Sequence, residues 1–293
     1  MNGNNWGRWG TSDERGAANL ISPEVLRNAA GLVRRGIAYS LALPIQHQGT
    51  PVGPQRVRPI HLMSQDAGDF RDGHTHPGGF CDADDFIALS THTGTHIDAL
   101  AHVWYADRLY NDFPAGTVTS AGAQHLGIEK LRSLVGRGVL LDLCRHRRVD
   151  HLPGGEVIKP QELEACAQAQ RVEFHVGDVL LVRTGWIRTY DNESPDAFFA
   201  SNPGLGIEAA EWAGAQGFAA IGADNFALEV HPSESGFIGP VHMRLIRDFG
   251  CYLMELMNLE DLARDKVHEF LFVAAPLLVT GGVGSPINPI AIA

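Results

Sequence analysis

Thr91-His92-Thr93-Gly94-Thr95-His96-Ile97-Asp98-Ala99-Leu100-Ala101-His102 places four metal-capable side chains, His92, His96, Asp98 and His102, at offsets 0, 4, 6 and 10. Wound as an α-helix at about 100° per residue, these positions fall near 0°, 40°, 240° and 280° and share no narrow face. In an extended chain every offset is even, so all four side chains leave the same side. A straight strand, rising about 3.3 Å per residue, would still hold His92 and His96 about 13 Å apart, too far for one ion. The chain must therefore bend between them, and Gly94 stands midway as the residue that permits it. Neutral imidazoles with a carboxylate suit Zn2+, Mn2+ or Fe2+ and leave coordination positions open for water. The competing reading is a strand whose polar residues are merely hydrogen-bonded. Three histidines and an aspartate within eleven residues weigh against it. A second pair, His74 and His76, sits in a loop composition and reads as surface or cavity lip.

Outward from this stretch the chain alternates helix and strand signals. Ser22-Pro23-Glu24 opens an apolar-periodic run over 23–35, with Ser22 as N-cap and Pro23 at the first helical position. Pro160 starts a helix over 161–170, a third covers 207–216 and a short one 259–265. Strands are expected at 138–143, 178–183, 218–221, 251–256 and 270–279, several of them continuous apolar runs suited to strands covered on both faces. Residues 36–79 read as short strands and long loops. The alternation predicts an α/β architecture with a substantial sheet or barrel. Gly204-Leu205-Gly206 imitates a dinucleotide fingerprint but follows Asn202-Pro203 rather than a strand, so it reads as a helix start. There is no GxSxG nucleophile elbow, which disfavours a serine hydrolase.

Composition narrows the partners. The 293 residues hold 23 basic and 34 acidic side chains, a net charge of −11, so nucleic acid would bind against the protein's own field. Hydrophobic residues reach 44% and charged ones only 19%, which argues against disorder. Cys81, Cys144, Cys166 and Cys251 form no CxxC pair, in keeping with a reduced, cytoplasmic setting. The polar start carries no apolar signal segment, and the apolar run 270–279 is half a membrane span and reads as a buried strand. No membrane partner is expected. Asn192-Glu193-Ser194 matches a glycosylation acceptor and, with no secretion expected, reads as a chance match.

The stretch His92-Thr93-Gly94-Thr95-His96-Ile97-Asp98-Ala99-Leu100-Ala101-His102 resembles the HxGTHxDxPxH signature of the cyclase family, which includes bacterial kynurenine formamidase and isatin hydrolase. The family's proline is replaced here by Leu100. A second likeness runs from His242 to Glu255, which lie 13 positions apart, one more than the formamidase pattern. The opening from Asn5 to Gly16, the stretch from Gly222 to Glu229 and the tail from Gly281 to Pro289 are similar to the larger members. The likeness covers most of the chain and implies one domain over 1–293, with 1–20 as an N-terminal arm. It also implies a swivelling β/β/α fold, a central barrel-like sheet flanked by helices, assembled as a homodimer or homotetramer.

The resemblance assigns His92, His96 and Asp98 to a first metal, Zn2+ or Mn2+. Asp98 would bridge to a second ion held by His242 and Glu255, with one or two ions per chain, and His102 would be the general acid/base. It implies hydrolysis of a cyclic amide, an imide or an N-formyl amide by a metal-bound hydroxide. A lactone hydrolase or a cyclase/dehydratase is the alternative, and a non-catalytic metal-binding protein a third. The expected substrate is a small aromatic or cyclic molecule. Trp6 and Trp9 are expected to wall its pocket or else to anchor the terminus. His231, beside Pro232, and Asp224, after the strand at 218–221, are further substrate-binding candidates, or else turn residues.

Overall fold

The computed structural model describes residues 3–190 and 195–293; the Asn192-Glu193-Ser194 match lies outside them. Nine strands form one curled half-barrel sheet: β1 (Ala38–Ser40), β2 (His96–Asp98), β3 (Leu134–Asp142), β4 (Val179–Arg183), β5 (Ala220–Ala223), β6 (Tyr252–Glu255), β7 (Glu269–Ala274), β8 (Gly284–Pro286) and β9 (Ile290–Ile292). Their order across the sheet is β1-β9-β7-β3-β4-β5-β6-β2-β8. The centre, β3 to β6, is parallel, and its members are the continuous apolar runs of the sequence. Every residue of β4, β5 and β6 is buried, as parallel strands covered on both faces require. Both flanks pair antiparallel: β7 on β3 and β2 on β6. The α/β class and the barrel-like sheet flanked by helices are therefore as expected. One large cluster of buried side chains extends from Ala17 to Ala293.

The helices pack on this sheet. α1 (Pro23–Ala30) lies on β3 and β7, with the Ser22 hydroxyl accepting the Val25 N–H as the predicted N-cap. α2 (Pro160–Gln170) packs against β3. α3 (Ile207–Gln216) packs against a helix in which Pro240–His242 is α and Met243–Asp248 is π. In that π stretch the Phe249 N–H reaches the Arg244 carbonyl, five residues back, at 3.1 Å. α4 (Glu260–Arg264) follows β6.

Two expected elements are shorter than read. α1 stops at Ala30, not 35, because the chain must turn to meet its own C-terminus. Leu32 and Val33 bond three residues back, and the Arg35 and Ile37 N–H groups both bond the Ala293 carbonyl. The apolar run 270–279 is strand only to Ala274. Pro276 has no N–H to continue the ladder, and Leu277 and Leu278 are exposed rather than buried. Within 36–79 the short strands are β1 and one arm of a hairpin, Ile60–Gln65 paired with Asp84–Ala88, which stands apart from the main sheet with both faces exposed. No helix among the described residues is long and apolar enough to cross a membrane.

Candidate metal centre

The histidine-rich stretch enters the sheet as loop, strand and turn. Gly94 takes φ +56°, so the required bend sits where the glycine allows it. Thr95 pins the bend: its hydroxyl donates to the Leu256 carbonyl at 2.6 Å and accepts the Leu43 N–H at 2.9 Å. Only His96, Ile97 and Asp98 are strand, with His96 and Asp98 two apart on one face of β2. Glu255 of β6 is paired directly opposite His96, and Gly284 of β8 directly opposite Asp98. A turn then closes with the His102 N–H on the Ala99 carbonyl, which brings His102 back over the strand. Leu100, where the family has proline, is buried within this turn. His242 arrives from the α segment just before the π-helix.

These side chains converge. The His92 Nε2 lies 3.3 Å from Asp98 Oδ1, and His96 Nε2 lies 3.8 Å from Asp98 Oδ1 and 3.5 Å from Glu255 Oε2. His242 Nε2 lies 3.1 Å from Glu255 Oε1 and 3.5 Å from Asp98 Oδ2. Two overlapping triads result, His92–Asp98–His102 and Asp98–His242–Glu255, with Asp98 common to both. The first triad thus takes in His102, whose ring is 4.2 Å from that of His92, where the expected first-ion set had His96; His96 instead lies between Asp98 and Glu255.

The donor set fits a dication. Five polar atoms, His92 Nε2, His96 Nε2, both Asp98 carboxylate oxygens and Glu255 Oε2, are buried without a hydrogen-bond partner. Buried polar atoms are rarely left so unless something else binds them. Two ligands each about 2.1 Å from one ion stand about 3.4 Å apart in tetrahedral geometry, close to the separations above. Protonation states agree with this. Burial pushes the His92 imidazole down to about 3, which keeps it neutral with a lone pair to give, and burial lowers His102 as well. Burial alone would raise Asp98, but the surrounding imidazoles, with His242 the charged one, outweigh it and hold the carboxylate below its usual range. Glu255 follows the same balance down to about 2. His242 goes the other way: burial alone would lower it, but the carboxylates of Asp98, Glu229 and Glu255 facing it outweigh burial and raise it well above the usual value.

A cavity of about 550 Å3 opens over the centre, lined by His102, His242 and Glu255 at its floor. His231 also lines it, beyond a cis peptide to Pro232. Its walls come from residues not singled out as candidates, Trp104, Phe226, Phe237, Ile238, Arg56 and Glu229, of which Phe226 and Glu229 fall within the Gly222–Glu229 stretch noted above. Arg56 donates to the His92 carbonyl at 2.6 Å. The other candidates sit elsewhere. Trp6 docks on the π-helix, its indole N–H donating to the Arg247 carbonyl at 2.8 Å with the Arg247 guanidinium 4.3 Å above its ring. Trp9 meets Arg8, and neither tryptophan lines the cavity. Asp224 is fully buried and accepts the Thr184 N–H, the Thr184 hydroxyl and the Gly185 N–H, each at 2.7 Å. His74 and His76 are exposed beside the hairpin, with His76 close to Phe70 and Phe80.

Residues 39–230 match the Cyclase family, described as "Putative cyclase". An isatin hydrolase of Roseibium aggregatum is 26% identical over 216 residues, covering 71% of this chain and 73% of the relative. A crystal structure of a novel cyclase superposes with a TM-score of 0.93 at 40% identity, over 99% of this chain and 97% of the other. An isatin hydrolase bound to the product analogue thioisatinate shares the fold at a TM-score of 0.66 and 20% identity, over 93% and 99% of the two chains.

Proposed function

The chain belongs to the Cyclase family, and from that membership we propose a metal-dependent hydrolase that cleaves a carbon–nitrogen bond in a small cyclic or aromatic carbonyl compound, such as a lactam, an imide or an N-formyl arylamine. The observation that carries the reading is the set of five unpartnered ligand atoms beneath a cavity walled by Trp104, Phe226, Phe237 and Ile238. The isatin hydrolase relative supports a compact cyclic substrate, and the aromatic walls suit a planar one. His92, His96 and Asp98 would hold one divalent ion, Zn2+ or Mn2+, and Asp98, His242 and Glu255 a second. Such an ion lowers the pKa of a bound water from 15.7 toward about 7 and polarises a carbonyl.

The side chains of this protein supply the rest. Asp98 and Glu255, ionised, balance the charge of the ions. His102 at the cavity floor, kept neutral by burial, takes a proton from attacking water and passes it to the departing nitrogen. The apolar walls exclude bulk water from the reacting carbonyl. A homodimer or homotetramer is the proposed assembly, supported by the exposed Ile60, Leu62, Phe86 and Ile87 on the hairpin. The cytoplasm is the proposed compartment, supported by four free cysteines.

Metal analysis of the purified protein, with hydrolysis assays across lactams, imides, N-formyl arylamines and lactones, tests this reading. Chelator-sensitive turnover of an amide is expected. Turnover of lactones alone would shift the reaction to ester chemistry, and an ion-loaded protein inert on the whole panel would refute the enzyme. His102→Ala should keep its metal and lose about 10²–10⁴ in rate; loss of the ion would make His102 a ligand instead.

A further inference from the structure

Glu229 lies in the loop after β5, is 5% exposed, and gives its whole carboxylate to one partner segment. Its Oε1 lies 2.5 Å from His242 Nδ1 and also accepts the His242 N–H at 3.3 Å, while Oε2 accepts the Val241 N–H at 3.1 Å. An ionised carboxylate has no proton to give, so the hydrogen of this contact belongs to Nδ1. With Nδ1 held as the donor to Glu229, Nε2 is the ring atom left to exchange its proton for an ion, and it faces Glu255 Oε1 at 3.1 Å and Asp98 Oδ2 at 3.5 Å. Once that proton leaves, three acceptors surround one point, an arrangement that a cation among them satisfies.

The other two imidazoles are backed differently. His92 Nδ1 meets the Thr91 hydroxyl at 3.2 Å, and His96 Nδ1 meets the Gly94 carbonyl at 2.7 Å. Both partners are neutral, whereas His242 alone is backed by a carboxylate. We infer that Glu229 is a positioning residue: it fixes the tautomer and ring orientation of His242 and thereby sets the ion affinity of the Asp98–His242–Glu255 subsite, leaving the His92–Asp98 subsite untouched. The inference rests on the proposed metal centre. It reaches further, because Glu229 touches no ion and carries no ligand signature. Carboxylates placed behind a ligating histidine raise its basicity, and their removal typically weakens metal binding about 10–100-fold.

The test titrates chelator-stripped protein with Mn2+ or Zn2+ in calorimetry, comparing wild type, His242→Ala, Glu229→Gln and Glu229→Asp. The binding phase absent from His242→Ala marks the subsite in question. Glu229→Gln should weaken that phase about 10–100-fold and leave the other within about twofold, and Glu229→Asp, which keeps the charge, should fall between. Equal weakening of both phases, or of neither, in a variant that melts like wild type overturns the inference. A second readout needs no ion. In metal-free protein, 15N-edited NMR should show a hydrogen-bonded His242 Nδ1–H whose downfield proton shifts or vanishes in Glu229→Gln. If wild type takes up no ion the proposed function fails, and an unchanged NMR signal then removes Glu229's role independently.

Discussion

Gly284→Ala should empty the first metal subsite while leaving the protein folded. Gly284 lies on β8 opposite Asp98, and a Cβ placed there would meet His92 Nε2 at 2.5 Å, Cε1 at 2.8 Å and Cδ2 at 2.9 Å. An ordinary contact begins near 3.4 Å, so the ring must retreat by about 0.9 Å. Metal–ligand distances tolerate only about 0.2 Å, so the displaced Nε2 no longer reaches the ion. Retreat is also hindered by the His102 ring at 4.2 Å and the His96 ring at 5.3 Å. Loss of one ligand should weaken that ion at least 100-fold, about 2.7 kcal/mol. The strain of the added methyl should cost about 1–3 kcal/mol of stability, a fall of several degrees in Tm. Gly116→Ala is the control, since nothing lies within 4 Å of its Cβ and its φ is ordinary. Ion titration and thermal melts read both effects. Wild-type affinity and stoichiometry in Gly284→Ala would show that His92 does not depend on this glycine, or is not a ligand.

Asp98 is shared by both triads, so Asp98→Ala should lose both ions; metal analysis that finds one ion still bound would break the bridging assignment. In chelator-stripped protein, His92 is held neutral to about pH 3 by burial, while the unfolded chain protonates it near 6.5. Its contribution to stability is therefore complete above 6.5 and lost as pH falls, by about 1.4 kcal/mol per unit, or about 2 kcal/mol by pH 5. His102 shifts in the same direction, whereas His242, raised, is protonated in both states below 6.5 and adds no slope there. His92→Gln should flatten the acid limb of a Tm-against-pH curve, and an unchanged limb counts against the burial argument. Asp224→Asn turns an amide NH2 toward a backbone N–H of Thr184 or Gly185, at a cost of about 1–3 kcal/mol. An unaltered melt would mean those donors find other partners.

Much of this molecule can be read from residue order alone, for physical reasons that also mark the boundary. The parallel strands β3 to β6 announce themselves because burial on both faces demands unbroken apolar runs, such as Val179-Leu180-Leu181-Val182. Three-residue strands such as β1, β8 and β9 hold too few side chains to show a period; β1 and β9 pair where the chain closes at Ala293, and β8 pairs with β2. The bend at Gly94 is legible because four metal-capable side chains at even spacing need one. Glu229, Arg56 and Phe237 carry no such signature, since each reaches the cavity from a loop whose path is set by distant packing. Trp6 illustrates the converse. An indole near a terminus can wall a pocket or anchor the chain, and here its N–H finds a backbone carbonyl of the π-helix, as an anchor does.

That π-helix bears on the thirteen-residue interval between His242 and Glu255. A chain with one residue too many for an α-helical path can widen one turn instead of shifting everything downstream, and Met243–Asp248 is such a widening. It acts as an expansion joint: the surplus is spent locally, and the two ends still meet at 3.1 Å. Separation along the chain is thus a poor ruler for separation in space, and a search that demands a constant interval between this histidine and this glutamate would pass over proteins with an intact centre. The joint also offers engineers a tolerant address. Removing one residue between 243 and 248 should tighten the turn to an α-helix and preserve ion binding, whereas the same deletion between Thr95 and Asp98 would turn a ligand to the far side of the sheet.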